Sequence, residues 1–253
     1  MKKIGIVTGA SSGMGREFLL RLAEEHPKLE EIWAVARRKE QLELLQREVS
    51  GVRIRMFSLD LMEEESFQVI EKALKKEKPW VGVLVNSSGV GYSGLLEELS
   101  GKEVSDMVQL NCRVLTMMTY LVLPYMKKGG QIYQLASSAA FAPQPGFAVY
   151  AASKAYVLRF AAALGQELRP RGIRVISVCP GPVKTEFLDK AYKGQKMPFY
   201  KRLFIADSRK VVSRAIRDAK KGKAVSVYGI SMKFLRIISR LLPEEAAVRF
   251  LGT

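Results

Sequence analysis

Tyr150 and Lys154 stand four residues apart in Y-A-A-S-K, a spacing that on a helix turns a phenol and an amine to the same side. The pattern alone is weak, because Tyr192 and Lys196 repeat it in the same chain. Context separates the two: thirteen residues before Tyr150 lies Ser137, at the end of a strand candidate, whereas thirteen before Tyr192 lies Cys179, within one. A second group with chemical meaning is T-G-A-S-S-G-M-G, where Gly9, Gly13 and Gly15 lead from an N-terminal strand into a helix. Such glycines let a dinucleotide pyrophosphate approach backbone N–H groups and the positive end of the helix dipole. Their spacing is G-x-x-x-G-x-G rather than G-x-G-x-x-G. A third group is A-V-A-R-R-K at the end of the second strand candidate. A carboxylate there would bond a ribose 2′-hydroxyl; this chain has Ala36 and then Arg37 and Arg38. Paired guanidiniums can grip a 2′-phosphate, which points to NADP(H) over NAD(H), although the same residues would also suit a solvated helix cap.

These groups need elements to hold them. Strand candidates are Ile4–Thr8, Ile32–Ala36, Arg53–Ser58, Val81–Asn86, Gln131–Ala136, Arg174–Cys179 and Ala224–Val227, several nearly continuous in Val, Ile and Leu. Helical patterns alternate with them at Met14–Glu25, Gln41–Val49, Glu64–Lys76, Val104–Met126, Tyr150–Leu168 and Ser208–Ala219. The alternation predicts an α/β fold: a single-domain, Rossmann-type, doubly wound parallel sheet of about seven strands with helices on both faces, spanning 1–253. Two segments fall outside this rhythm. Residues 186–206 carry Phe187, Leu188, Tyr192, Met197, Phe199, Tyr200, Leu203 and Phe204 without a steady period, and read as a substrate-binding loop or lid, or as a loop packed on the core. Residues 230–253 form a C-terminal extension; within it 230–242 place Lys233, Arg236 and Arg240 on one helical face and Met232, Leu235, Ile238 and Leu242 on another.

Composition narrows the function. In 253 residues, 48% are apolar and 26% charged, the proportions of an ordinary globular protein. The longest apolar stretch, Val114–Met126, falls short of the roughly 18 residues of a membrane span, and M-K-K-I-G-I-V-T-G is no secretory signal, so a cytoplasmic location is expected. Cys112 and Cys179 are too few for a disulfide framework, and with His26 as the single histidine no metal site is expected. His26 itself reads as a surface cap, and the cysteines as small core residues. The net charge of +16 would attract polyanions. Its basic residues are scattered among glutamates and lack any zinc-finger or RNA-binding pattern, so no nucleic-acid partner is expected.

The chain resembles the short-chain dehydrogenase/reductase family over nearly its whole length. The resemblance rests on T-G-A-S-S-G-M-G, Asp60-Leu61 after the third strand, N-S-S-G at Asn86–Gly89, Asn111, Ser137, Tyr150, Lys154, and P-G-P-V-K-T at Pro180–Thr185. It implies a cofactor site made by Gly9, Ser11, Ser12, Gly13, Met14, Gly15, Arg37, Arg38, Asp60, Leu61, Asn86, Ser87, Gly89, Tyr150, Lys154, Pro180, Gly181, Val183 and Thr185. Within that set, Asp60 would bond the adenine edge, and Val183 and Thr185 the nicotinamide carboxamide. It also implies a catalytic tetrad of Asn111, Ser137, Tyr150 and Lys154. Tyr150 would be the general acid/base, Lys154 would lower its pKa, Ser137 would bond the substrate oxygen, and Asn111 would hold a water leading from Lys154 to solvent. The chain departs from the family pattern in the serines of N-S-S-G and in Ala136 of Q-L-A-S, and neither change removes a reacting group.

The expected activity is an NADP(H)-dependent oxidoreduction between a ketone and a secondary alcohol on a hydrophobic, steroid-like or fatty-acyl substrate. Two alternatives stay open: a 3-oxoacyl-carrier reductase, and a non-catalytic protein that senses the nicotinamide cofactor. The resemblance further implies a homodimer or homotetramer built on Val104–Met126 and Tyr150–Leu168, helped by small residues at Ala151, Ala152, Ala155 and Ala161–Ala163. The faces of 230–242 would suit a peripheral membrane contact, a sister subunit or the protein's own core.

Overall fold

The computed structural model describes residues 1–26, 28–192, 204–243, 245, 246 and 248. Seven parallel strands form one sheet in the order β3-β2-β1-β4-β5-β6-β7, with β1 at Lys3–Thr8, β2 at Glu31–Ala36, β3 at Arg53–Ser58, β4 at Trp80–Asn86, β5 at Met126–Leu135, β6 at Arg174–Cys179 and β7 at Val225–Val227. The central strands bury both faces. Along β1, Ile4 and Ile6 face one core layer and Val7 the other; along β4, Val81 and Leu84 divide in the same way from Val83 and Val85. One layer is covered by α1 (Gly13–Glu25), α2 (Lys39–Glu48) and α8 (Ser208–Lys220), through Phe18, Leu22, Leu42, Val212 and Ile216. The other is covered by α3 (Glu64–Glu77), α5 (Leu115–Val122) and α6 (Ala148–Glu167), through Ile70, Leu74, Met118, Val122 and Leu164. The strand order reverses between β1 and β4, and that switch point opens a crevice at their carboxyl ends.

Polar contacts hold the crevice in shape. Thr8 Oγ1, at the end of β1, accepts from the Ser87 and Ser88 amides at 3.1 and 3.2 Å, clamping the loop after β4. Beneath it, Asn86 Nδ2 donates to Thr119 Oγ1 at 2.9 Å and to Gln134 Oε1 at 3.0 Å, tying β4 and β5 to α5.

One expectation needs correction and a second holds only in part. Val104–Met126 is not one helix: α4 (Gly101–Val108) runs into a π turn at Gln109–Val114, then α5, then a 3-10 turn at Leu123–Tyr125 that contains Pro124. His26 does cap α1, but it is only partly at the surface. It closes α1 with its backbone N–H on Leu22 O at 3.0 Å, but its ring is half-buried with Nε2 unpartnered, and burial together with Lys220 lowers its pKa. No helix among the described residues is long and apolar enough to cross a membrane.

Candidate active site

The glycine turn sits where β1 meets α1. Gly9 and Gly13 have positive φ, 67° and 54°, a conformation that L side chains rarely adopt. A Cβ on Gly15 would lie 2.2 Å from the Gly9 carbonyl oxygen, so α1 can start this close to the turn only without a side chain there. Gly15 therefore packs helix against turn and does not line the crevice, whereas Gly9, Ser11, Ser12, Gly13 and Met14 do. The crevice encloses about 580 Å3. Arg37, Arg38, Asp60, Leu61, Ser87, Gly89, Pro180, Gly181, Val183 and Thr185 line it too.

The arginines already have partners. Arg38 donates to Glu186 Oε2 at 2.9 Å and to Ser11 Oγ at 3.3 and 3.4 Å; Arg37 reaches Asp60 Oδ2 at 3.5 Å. Asp60 also accepts from the Met62 amide at 3.1 Å, so the acid caps the turn after β3 as well as facing the crevice. The Asn86 side chain points into the α5 network and is not among the crevice-lining residues, so it braces the loop and does not touch an occupant.

Tyr150 and Lys154 fall in the first turns of α6, on the crevice wall, and both are buried. Lys154 Nζ lies 5.7 Å from the Tyr150 ring centroid and donates to Leu135 O at 2.9 Å. Ser137, where the chain leaves β5, accepts from the Ala139 amide at 3.1 Å and lines the crevice together with Tyr150. Asn111 lies in the π turn, completely buried: its Nδ2 donates to Val90 O and Ser153 Oγ, both at 2.9 Å, and its Oδ1 accepts from the Val90 amide at 3.0 Å. The side-chain amide is thus committed to protein partners, and it is the π turn that carries Asn111 toward α6. Gly89 fills the remaining gap, since a Cβ there would lie 2.9 Å from Asn111 Oδ1 and 3.3 Å from Lys154 Nζ.

Burial dominates the electrostatics of the pair. Burial pushes the Tyr150 phenol up to about 12, against the opposing pull of Ser137, and pushes Lys154 down to about 8. Lys154 was expected to lower the Tyr150 pKa. Burial is the largest influence on the phenol, and the Lys154 ammonium is turned to the Leu135 carbonyl.

Aromatic side chains frame the reacting end. Phe147 stacks on Tyr150 at 4.4 Å between centroids, Phe187 lies 5.6 Å from Tyr150, and Tyr192 lies 6.4 Å from Phe147. Phe187 and Tyr192 belong to α7 (Glu186–Tyr192), so the start of the predicted lid does border the site; Lys196, Met197, Phe199, Tyr200 and Leu203 lie outside the described residues. Phe147 was missed, although its position three residues before Tyr150 is a readable signal. So was the full part played by α9 (Ile230–Leu241), whose Met232, Leu235 and Ile238 roof the crevice.

Residues 3–196 match the family model described as short chain dehydrogenase. The chain belongs to the short-chain dehydrogenase family. A 3-oxoacyl-acyl-carrier-protein reductase of Thermotoga maritima is 30% identical over 193 residues, covering 74% of this chain and 77% of that one. The 17-beta-hydroxysteroid dehydrogenase type 3 of Mus musculus is 27% identical over 260 aligned positions, covering 100% and 82%. Among solved structures, a short-chain dehydrogenase from Sphingobium yanoikuyae in complex with NADPH superposes with a TM-score of 0.80 at 26% identity, covering 95% of this chain and 94% of that one. As a short-chain dehydrogenase the protein is an oxidoreductase, and its crevice has the makings of a nicotinamide dinucleotide site: a glycine cradle with no room for Cβ atoms, a helix N-terminus behind it and cations at the adenosine end.

Proposed function

We propose that the protein interconverts a ketone and a secondary alcohol on a hydrophobic substrate, using NADP(H). The observation that carries this reading is the burial of Tyr150 and Lys154 side by side on the crevice wall, with Ser137 on the same crevice. NADP(H), when bound, supplies or takes the hydride. Gly9, Ser11, Ser12, Gly13 and Met14 would hold its pyrophosphate, Asp60 and Leu61 its adenine, and Val183 and Thr185 its carboxamide. Tyr150 holds the proton exchanged with the substrate oxygen, and Ser137 donates to that oxygen as its charge develops. Lys154 stands within reach of Tyr150 and of the crevice, where positive charge favours the ionised phenol. Asn111 acts as a positioning residue, holding Val90 and Ser153 around the pair.

Arg37 and Arg38 support the choice of NADP(H), since two guanidiniums face the adenosine end and their present partners Asp60 and Glu186 are exposed carboxylates that a phosphate could replace. Binding titrations test it: Arg37→Ala/Arg38→Ala should weaken NADPH at least tenfold and leave NADH nearly unchanged, as loss of a charge-assisted phosphate contact requires. Equal affinities of the wild type for both cofactors would overturn it. The aromatic frame and the apolar roof support a hydrophobic substrate. A panel of ketones followed by loss of nicotinamide absorbance tests turnover, and silence across that panel despite tight NADPH binding would favour a cofactor sensor instead.

A carrier-linked 3-oxoacyl substrate is the second reading. It is favoured by the Thermotoga maritima relative and by the gathering of Arg21, Arg209, Lys210, Arg214 and Arg217 between α1 and α8, a match for an acidic carrier. Activity on a carrier-bound acetoacetyl group but not on free ketones would select it. Self-association through α4, α5 and α6 is also part of the proposal, supported by the exposed Val108, Tyr120 and Tyr156. The small-residue argument needs trimming, because Ala151 and Ala161 are buried in the subunit's own core.

A further inference from the structure

Helix α9 presents three faces, and the structure accounts for only one of them. Met232, Leu235 and Ile238 look inward and roof the crevice; a Cβ on Gly181 would lie 2.9 Å from the Met232 sulfur. A second stripe, Ile230, Phe234, Ile237 and Leu241, recurs at the spacing of one helical face and points to solvent, with exposures of 86, 63, 59 and 77%. Beside it run Lys233, Arg236 and Arg240, and the helix contains no acidic residue. No residue of α9 is buried.

An apolar stripe of this kind on an outer surface needs a partner, and the charge beside it limits which partner fits. A second copy meeting it about a two-fold axis would set two such cationic stripes near each other, in a protein that already carries a net charge of +16. Arg236 already feels this crowding: partial burial and then the neighbouring Arg240 lower its pKa. An anionic lipid surface accepts both features at once, apolar side chains among the acyl chains and cations at the headgroups. The stripe also continues into the site, since Phe234 both lines the crevice and stands exposed, and Phe204 does the same across the opening at 46% exposure.

We infer that α9 is an interfacial helix that seats the protein on an anionic lipid surface, with Ile230, Phe234, Ile237 and Leu241 inserted and Lys233, Arg236 and Arg240 at the headgroups, so that the crevice opens onto the lipid. This seating does not depend on the proposed reaction. It depends on a face that no other element covers among the described residues.

Co-sedimentation of the full chain with phosphatidylcholine vesicles, with and without about 30 mol % phosphatidylserine, tests it. The wild type should sediment with the anionic vesicles, and added salt should release it. Ile237→Ser/Leu241→Ser, which alters neither a crevice-lining nor a buried residue, should stay in the supernatant. Lys233→Ala/Arg240→Ala should bind more weakly, by about fivefold for each cation removed. Melting followed by circular dichroism at the wild-type temperature shows that the variants are folded. A wild type that ignores anionic vesicles overturns the inference, as does a serine variant that sediments as well as the wild type. A soluble dimer that the serine variant dissolves, with no vesicle binding, overturns it in favour of a second copy.

Discussion

Lys154 should weaken the fold it helps to make useful. Its ammonium is almost completely removed from water, and burial lowers its pKa from 10.5 to about 8. A displacement of that size means that charging Lys154 costs about 3 kcal/mol more in the folded chain than in the unfolded one. Replacement by methionine removes this penalty and keeps most of the packing volume, but it leaves the Leu135 carbonyl without the 2.9 Å bond, a loss of about 1 kcal/mol. Lys154→Met should therefore be the more stable protein at pH 7, by about 2 kcal/mol. The sign changes with pH in a defined window. Between about 8 and 10.5 the folded wild type has released its proton while the unfolded chain still holds one, so wild-type stability rises relative to the variant and the advantage disappears. Urea denaturation at neutral pH and near pH 10, without cofactor, reads both values. A variant less stable than wild type at pH 7, or a difference that does not change with pH, would refute the reasoning.

Three further outcomes follow from the site. Tyr150→Phe should lower kcat by about 1,000-fold while NADPH affinity stays within a factor of a few, because only the proton-carrying hydroxyl is lost; stopped-flow turnover and a fluorescence titration separate the two. Gly15→Ala forces a methyl onto the Gly9 carbonyl at 2.2 Å and should destabilise the fold by about 3 kcal/mol and weaken dinucleotide binding with it, as melting with and without NADPH would show. Asn111→Ala strands the Val90 amide and carbonyl and should cost about 3 kcal/mol, seen as a melting temperature lower by about 10 °C.

The sequence discloses the parts whose rules are local. The glycine turn, the strands rich in Val and Ile and the helix that carries Tyr150 and Lys154 all follow from spacing and periodicity, and their limits differ from expectation by few residues except at β5. That strand begins at Met126 because M-K-K-G-G carries it back to pair Met126 with Val81 of β4 across a register shift between Val81 and Val83, which no alternation in the sequence announces. The π turn at Gln109–Val114 was equally hidden: it contains neither proline nor glycine, and it exists because Asn111 is drawn to Val90 and Ser153, contacts made only once the chain is folded. The partners of Arg37 and Arg38 are of the same kind, since Glu186 lies far along the chain from Arg38. The amphipathicity of 230–242 was legible, but not its division into an inner and an outer apolar face, because that depends on where the crevice lies.

The crevice is walled unequally. Its floor is the carboxyl ends of central strands laced together by Thr8, Asn86 and Gln134, whereas above it lies a helix, α9, that lines it through Met232, Leu235 and Ile238 and has no buried residue. Bulk added to a substrate on the ceiling side can lift that helix at small cost, while bulk toward the floor meets backbone that has nowhere to go. Tolerance for large ketones should accordingly be one-sided, with discrimination sharp beside Tyr150 and loose at the far end of the molecule.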